Sequence, residues 1–198
     1  DRVRDPEAAD ALEQARDLRI PTTEVTAELL ARLAFGDRDD GLVLVAAAPS
    51  VDLGDLELPD APLVGVIEAV EKPGNLGAIL RTADGAGLDA LIVADPRCDP
   101  WNPNAIRASM GTVFSMPLAV AGVDEVLAFL RAAGVRIVAA RVDGSIPYTE
   151  ADLTGPLGIA LGTEADGLSA AWSGPDIEAV HIPMHGIADS LNVSVSAA

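Results

Sequence analysis

Ser190-Leu191-Asn192-Val193-Ser194-Val195-Ser196-Ala197-Ala198 is a mildly apolar run led by serine and asparagine, the pattern of a helix start. It follows residues 180–182, Val-His-Ile, which read as a strand. Two upstream stretches have the same setting. Asn75-Leu76-Gly77-Ala78-Ile79-Leu80-Arg81-Thr82-Ala83 comes after the apolar residues 63–70, and Leu161-Gly162-Thr163-Glu164-Ala165-Asp166-Gly167-Leu168 comes after the apolar residues 156–161. All three lie at strand-to-helix junctions, where an α/β protein concentrates its ligand contacts.

Working outward, strands are expected at residues 63–70, 88–94, 114–120, 135–140, 159–161 and 180–182. Helices are expected from Asn75, over 102–110, over 124–133 and from near Ser190. In the helix after Asn75, Leu76, Ile79, Leu80 and Ala83 follow the spacing of one buried face. Gly85 and Gly87 stop it, and Gly134 stops the helix over 124–133. Strands alternating with helices predict an α/β fold: an open, mostly parallel sheet with helices on both faces. Before it, residues 6–18 read as a helix with Pro6 in its first turn. Residues 20–25 read as a short strand, 27–33 as a helix capped by Thr26, and 42–48 as another strand. Residues 49–62, rich in proline and acids, read as a linker at a domain boundary. The last helix has only about two turns, no glycine stop and an apolar face still running at Ala198, so a truncated or disordered C-terminus is expected.

Composition narrows the partners. No apolar run approaches the ~20 residues that cross a bilayer, and no secretory leader is visible, so a cytoplasmic protein with no membrane partner is expected. The single Cys98 excludes an internal disulfide and reads as an ordinary loop thiol. No His/Cys cluster has the spacing of a metal site, so no metal is expected. Thirteen Lys and Arg against thirty-one Asp and Glu give a net charge of −18, which argues against nucleic acid. The distribution softens that. Lys72, Arg81, Arg97 and Arg107 cluster around the first of the three stretches, where a local basic patch can hold phosphate inside an acidic shell.

Each stretch also has a plain structural reading. Gly74 can serve a bend, Asn75 a helix cap, Gly77 close packing, and Arg81 the solvated surface. Glu164 can be one acid among many, and Ser190 a helix cap. Asn192 inside a first turn is less easily explained by propensity. The glycine-containing loop before Asn75 is not G-x-G-x-x-G, so no dinucleotide fingerprint is met.

Taken together and in this order, the three stretches resemble the signature motifs of the SpoU/TrmH ribose 2′-O-methyltransferases, a branch of the knotted SPOUT superfamily. The resemblance covers roughly residues 60–198 and extends to Asn104-Ala105-Ile106-Arg107-Ala108-Ser109-Met110-Gly111. Residues 1–48 resemble the tail of the small α/β RNA-binding domain that longer members carry, giving a division into 1–48, the linker 49–62, and a methyltransferase domain 63–198. The resemblance implies a C-terminal trefoil knot that holds S-adenosylmethionine, a homodimer, and an RNA substrate, ribosomal or transfer. Arg81 matches the family's catalytic arginine, and Asn75, Glu164, Ser190 and Asn192 match its supporting polar residues. The cofactor contacts map onto Ala140, Arg141, Leu161, Gly162, Ile182, Met184 and Leu191.

The implied chemistry is displacement of a sulfonium methyl by a ribose 2′-hydroxyl, which requires oxygen and methyl within about 3–3.5 Å. A guanidinium ordinarily keeps its proton, so Arg81 is better suited to gripping phosphate and stabilising a developing alkoxide than to acting as a base. Two other readings compete. A catalytically silent knotted RNA- or partner-binding module is favoured by the acidic charge, and disfavoured by the intact polar set. A Rossmann-like nucleotide enzyme is disfavoured by the missing fingerprint.

Overall fold

The computed structural model describes residues 3, 5–36, 41–163, 166–187 and 190–198. The chain forms two compact units, residues 1–48 and 49–198.

In the first unit, α1 spans Pro6–Asp17 and α2 spans Ala27–Leu33. Asp5 caps α1 by accepting from the Ala8 N–H at 3.0 Å, and Thr26 caps α2 by accepting from Leu29 at 3.2 Å. The strands expected at 20–25 and 42–48 are absent; both segments have no regular secondary structure and no ladder partner among the described residues. Leu44 and Val45 stay in solvent, at 74% and 89% exposure, while Leu42 and Val43 are half-buried. A strand needs a hydrogen-bonding neighbour as well as β-formers, and the described residues of this unit offer none.

The second unit is a seven-stranded, all-parallel sheet. Its strands are β1 Leu63–Glu68, β2 Ala90–Ala94, β3 Leu118–Ala121, β4 Arg136–Ala140, β5 Ile146–Pro147, β6 Leu157–Leu161 and β7 Ile177–His181. They lie in the order β3-β2-β1-β6-β4-β7-β5. Burial on both faces explains why these strands read as apolar runs rather than alternations. Val64, Val66 and Ile92 face α5 (Val123–Ala132) together with the fully buried Trp172. Ile67, Leu91, Val93 and Leu161 face α3 (Pro73–Ala86), whose stripe Leu76, Ile79, Leu80 and Ala83 is buried as the spacing predicts. Val193, in the four-residue α6 (Val193–Ser196), packs into the same cluster.

Helix α3 starts at Pro73, so Asn75 sits within its first turn rather than capping it. The N-cap position falls to Lys72. The helix ends on Gly87, left-handed at φ 74°, and Gly85 is carried inside it. Residues 112–114 form a 3-10 turn, and the strand expected at 114–120 is confined to Leu118–Ala121. Part of the segment read as a linker runs along the sheet's edge. Asp52 bridges to Val120 of β3, the Val120 N–H donates to the Val51 carbonyl at 2.8 Å, and Leu53, Leu56 and Leu58 pack on the α5-side core.

The last feature is topological. β7 lies between β4 and β5, which are joined by residues 141–145. That connection crosses the C-terminal end of the later strand. The Arg141 N–H donates to the Val180 carbonyl at 2.8 Å, and the Ser145 N–H donates to the Ala179 carbonyl at 3.2 Å. Gly144 sits so close that a Cβ there would overlap the Val180 carbonyl. β5 was not visible in the sequence because its two residues pair only with β7, whose position the crossing fixes.

Candidate functional site

All strands of a parallel sheet point the same way, so the loops after β1, β4, β6 and β7 emerge along one edge. Between β1 and β6 the chain leaves toward opposite faces: β1 leads to α3, while β6 leads to the 3-10 turn Ala170–Ser173 that buries Trp172. Such a switch point opens a crevice outside the strand ends.

The first and third stretches meet there. The Asn192 Nδ2 donates to the Asn75 Oδ1 at 3.3 Å. Asn192 is also the N-cap of α6, accepting from the Ser194 N–H at 3.0 Å and the Ser194 hydroxyl at 2.5 Å. The sequence had offered Ser190 as that cap; Ser190 instead lies exposed, ahead of the helix. An asparagine carries acceptor and donor on one amide, so Asn192 starts its own helix and ties it to α3 at once.

The second stretch is a tight loop on the end of β6. Thr163 and Gly167 exchange backbone hydrogen bonds at 3.2 and 3.1 Å, and the Thr163 hydroxyl accepts from the Asp166 N–H at 3.0 Å. Gly162 lies under this loop; a Cβ there would overlap the Gly167 carbonyl, so only glycine fits without displacement. Glu164 lies outside the described residues.

Arg81 sits on α3, exposed, and makes no hydrogen bond or ion pair among the described residues. It is six residues, about 9 Å of helix, beyond Asn75. Arg97 is held by Glu71 at 2.5 Å, which raises the guanidinium's affinity for its proton. Burial pushes the Cys98 thiol above its ordinary range, with Asp99 adding to the effect, so it is a poor nucleophile at neutral pH.

Six of the seven cofactor candidates fall at three neighbouring strand ends, Ala140 and Arg141 at β4, Leu161 and Gly162 at β6, Ile182 and Met184 after β7, and the seventh, Leu191, leads into α6. Met184 and Leu191 are 37% and 38% exposed, leaving apolar surface that a flat heteroaromatic ring could cover. Arg141 is committed within the protein. Its guanidinium pairs with Asp143 at 2.8 Å and donates to the Ser173 hydroxyl, holding the Asp143 carboxyl below its ordinary range. Its carbonyl accepts from the Gly144 N–H at 3.2 Å. The side chain thus braces the 141–145 crossing.

One residue escaped the sequence reading. Glu68, at the end of β1, is 5% exposed, and its Oε2 accepts from the Ser169 N–H at 2.7 Å. It pins the exit of the 162–168 loop across the switch point. The only signal in the sequence is a lone carboxylate inside the apolar run 63–70.

Residues 62–198 match the SpoU rRNA Methylase family, and the chain belongs to it. It is 31% identical over 185 residues to the 23S rRNA (guanosine(2553)-2′-O)-methyltransferase of Bacillus subtilis, covering 92% of this chain and 75% of that protein. It is 34% identical over 196 residues to the 23S rRNA (uridine(2479)-2′-O)-methyltransferase of Streptomyces viridochromogenes, covering 94% and 68%. Among solved structures, an RNA 2′-O ribose methyltransferase superposes with a TM-score of 0.69 at 44% identity, over 75% of this chain and 57% of that one. The SpoU methyltransferase AviRb from Streptomyces viridochromogenes, in complex with AdoMet, superposes at 0.69 and 35% identity, over 75% and 61%. The chain therefore spans less than two thirds of either solved chain.

Proposed function

We propose that this chain transfers a methyl group from S-adenosylmethionine to the 2′-hydroxyl of a ribose in ribosomal RNA. The observation that carries the proposal is the junction of the first and third stretches through Asn75 and Asn192, beside the glycine-floored loop after β6. Family membership over residues 62–198 supports it.

When bound, S-adenosylmethionine supplies an electrophilic methyl on a sulfonium. The residues that would hold it are those at the ends of β4, β6 and β7, through backbone groups around Leu161, Gly162 and Ile182 and the apolar surface of Met184 and Leu191. Asn75 and Asn192 orient the polar side of the site, with Ser190 and Glu164 in supporting roles. Arg81, free of a carboxylate partner among the described residues, grips the phosphate beside the target ribose and stabilises the alkoxide as the hydroxyl proton leaves. The insertion of β7 behind the 141–145 crossing supports a knotted C-terminal segment. A ribosomal substrate puts the protein in the cytoplasm; among the described residues no helix is long and apolar enough to cross a membrane.

The expected result is that S-adenosylmethionine binds after EDTA treatment and that labelled methyl enters ribosomal RNA. The described residues contain no group of three His, Cys, Asp or Glu able to hold a metal. Calorimetry showing no cofactor binding by folded protein would end the proposal. The silent-module reading draws only on the net charge of −18, and methyl incorporation separates the two.

We also propose a homodimer. Val195 of α6 is 57% exposed, an apolar side chain presented to solvent beside α3. Sedimentation equilibrium is expected to give a dimer at micromolar concentration; a monomer throughout removes this element.

A further inference from the structure

We propose that Phe114, stacked on Trp101, is a platform on which a nucleobase of the RNA substrate stacks. The proposal rests on the RNA-methyltransferase reading and names a base contact within it.

The chain has only six aromatic residues, three Phe, two Trp and one Tyr. Two of them stand together on one surface. The rings of Trp101 and Phe114 are 5.7 Å apart between centroids and 21° from parallel. Trp101 is half-buried against the α3-side core, while Phe114 is 59% exposed. The stack is therefore anchored at one end and open at the other. A nearly parallel pair with an open outer ring is the geometry that accepts a further flat ring, and aromatic platforms of this kind bind bases with little regard to sequence.

The setting fits a polyanion. α4 (Pro103–Ala108) and the turn at 112–114 are seated on α3, with Gly77 at the contact: a Cβ there would meet Ala108 Cβ at 2.6 Å and the Ser109 nitrogen at 2.8 Å. Arg81 follows Gly77 by one helical turn, on the side of α3 that carries this layer. Arg107 of α4 is exposed, and neither arginine has an ion pair among the described residues. In a chain with 31 acidic residues, two guanidiniums without carboxylate partners among the described residues, one on α3 and one on α4, belong to the same packed layer as the open aromatic ring, a combination complementary to phosphate and base together. Next to it, Met110 holds a left-handed φ of 54° and is 73% exposed, its N–H donating to the Arg107 carbonyl at 3.2 Å.

The test compares binding of an adenosine oligoribonucleotide with binding of an abasic ribose-phosphate chain of equal length, for the wild type, Phe114→Ala and Phe114→Trp. The wild type is expected to prefer the oligoadenylate. Phe114→Ala should lose about 5- to 150-fold in its affinity and with it the preference, while Phe114→Trp retains both. S-adenosylmethionine affinity should not change, and loss of the contact with Trp101 should lower the unfolding temperature of Phe114→Ala only modestly, with the protein still folded. Equal binding of the two ligands by the wild type, or an unchanged preference in Phe114→Ala, overturns the platform. A Phe114→Ala variant that becomes monomeric with RNA affinity intact identifies the surface as a contact between two copies, and also overturns it. Failure of the enzymatic reading is distinguishable, because it appears as absent cofactor binding and methyl incorporation in the wild type while the base preference persists.

Discussion

Arg81→Ala is expected to lower methyl transfer by about 10²- to 10³-fold, the loss typical of removing one preorganised donor from a developing anion. S-adenosylmethionine affinity should stay within a few-fold. The asymmetry follows from position. Arg81 is on α3, exposed and without an ion pair among the described residues, whereas the cofactor candidates lie on the ends of β4, β6 and β7. α3 itself is held by Leu76, Ile79, Leu80 and Ala83 in the core, so truncating an outward side chain leaves the helix in place. Arg81→Lys should recover only part of the rate, since an ammonium is a point charge without the planar fork that matches phosphate. Single-turnover assays with labelled cofactor, alongside calorimetry, measure both quantities. Near-normal turnover of Arg81→Ala would take this residue out of the chemistry.

Gly162→Ala is expected to weaken S-adenosylmethionine binding sharply and to lower thermal stability. The new methyl would occupy the space of the Gly167 carbonyl, so the 163–168 loop must lift from the end of β6. That breaks the paired hydrogen bonds between Thr163 and Gly167 and pulls on Ser169, which the buried Glu68 holds. Overpacking of this kind costs about 1–3 kcal/mol. The control is Gly85→Ala. Gly85 lies inside α3 with nothing within 4 Å of its would-be Cβ and no positive φ, so alanine there should stabilise by roughly 0.5–1 kcal/mol. Scanning calorimetry and cofactor titration of both variants distinguish a local effect at Gly162 from a general intolerance of substitution. Unchanged cofactor affinity in Gly162→Ala would mean that the loop after β6 does not form the binding site.

The architecture was legible in the sequence where local signals and tertiary need agree. α2 occupies Ala27–Leu33 behind Thr26, as capping chemistry predicts, and the buried face of α3 follows its apolar spacing. It was illegible where structure depends on a distant partner. Residues 20–25 and 42–48 have strand composition, and no neighbour among the described residues supplies a ladder. The two residues of β5 have little strand signal and pair nonetheless, because the 141–145 crossing delivers them to β7. At the site, residue types and order were readable, but their joint geometry was not. Asn192 rather than Ser190 caps α6, because one amide also reaches Asn75. Glu68 was invisible because a single carboxylate in an apolar run gives no hint of Ser169, which lies 101 residues away.

The placement of β7 also has a bearing on synthesis. Residues 136–147 leave the ribosome well before residues 177–181, yet in the finished sheet the later segment is hydrogen-bonded on both sides by the earlier one. Gly144 leaves no room for a Cβ against the Val180 carbonyl, so the β7-facing edge of β4 has no ladder partner until residues 177–181 arrive.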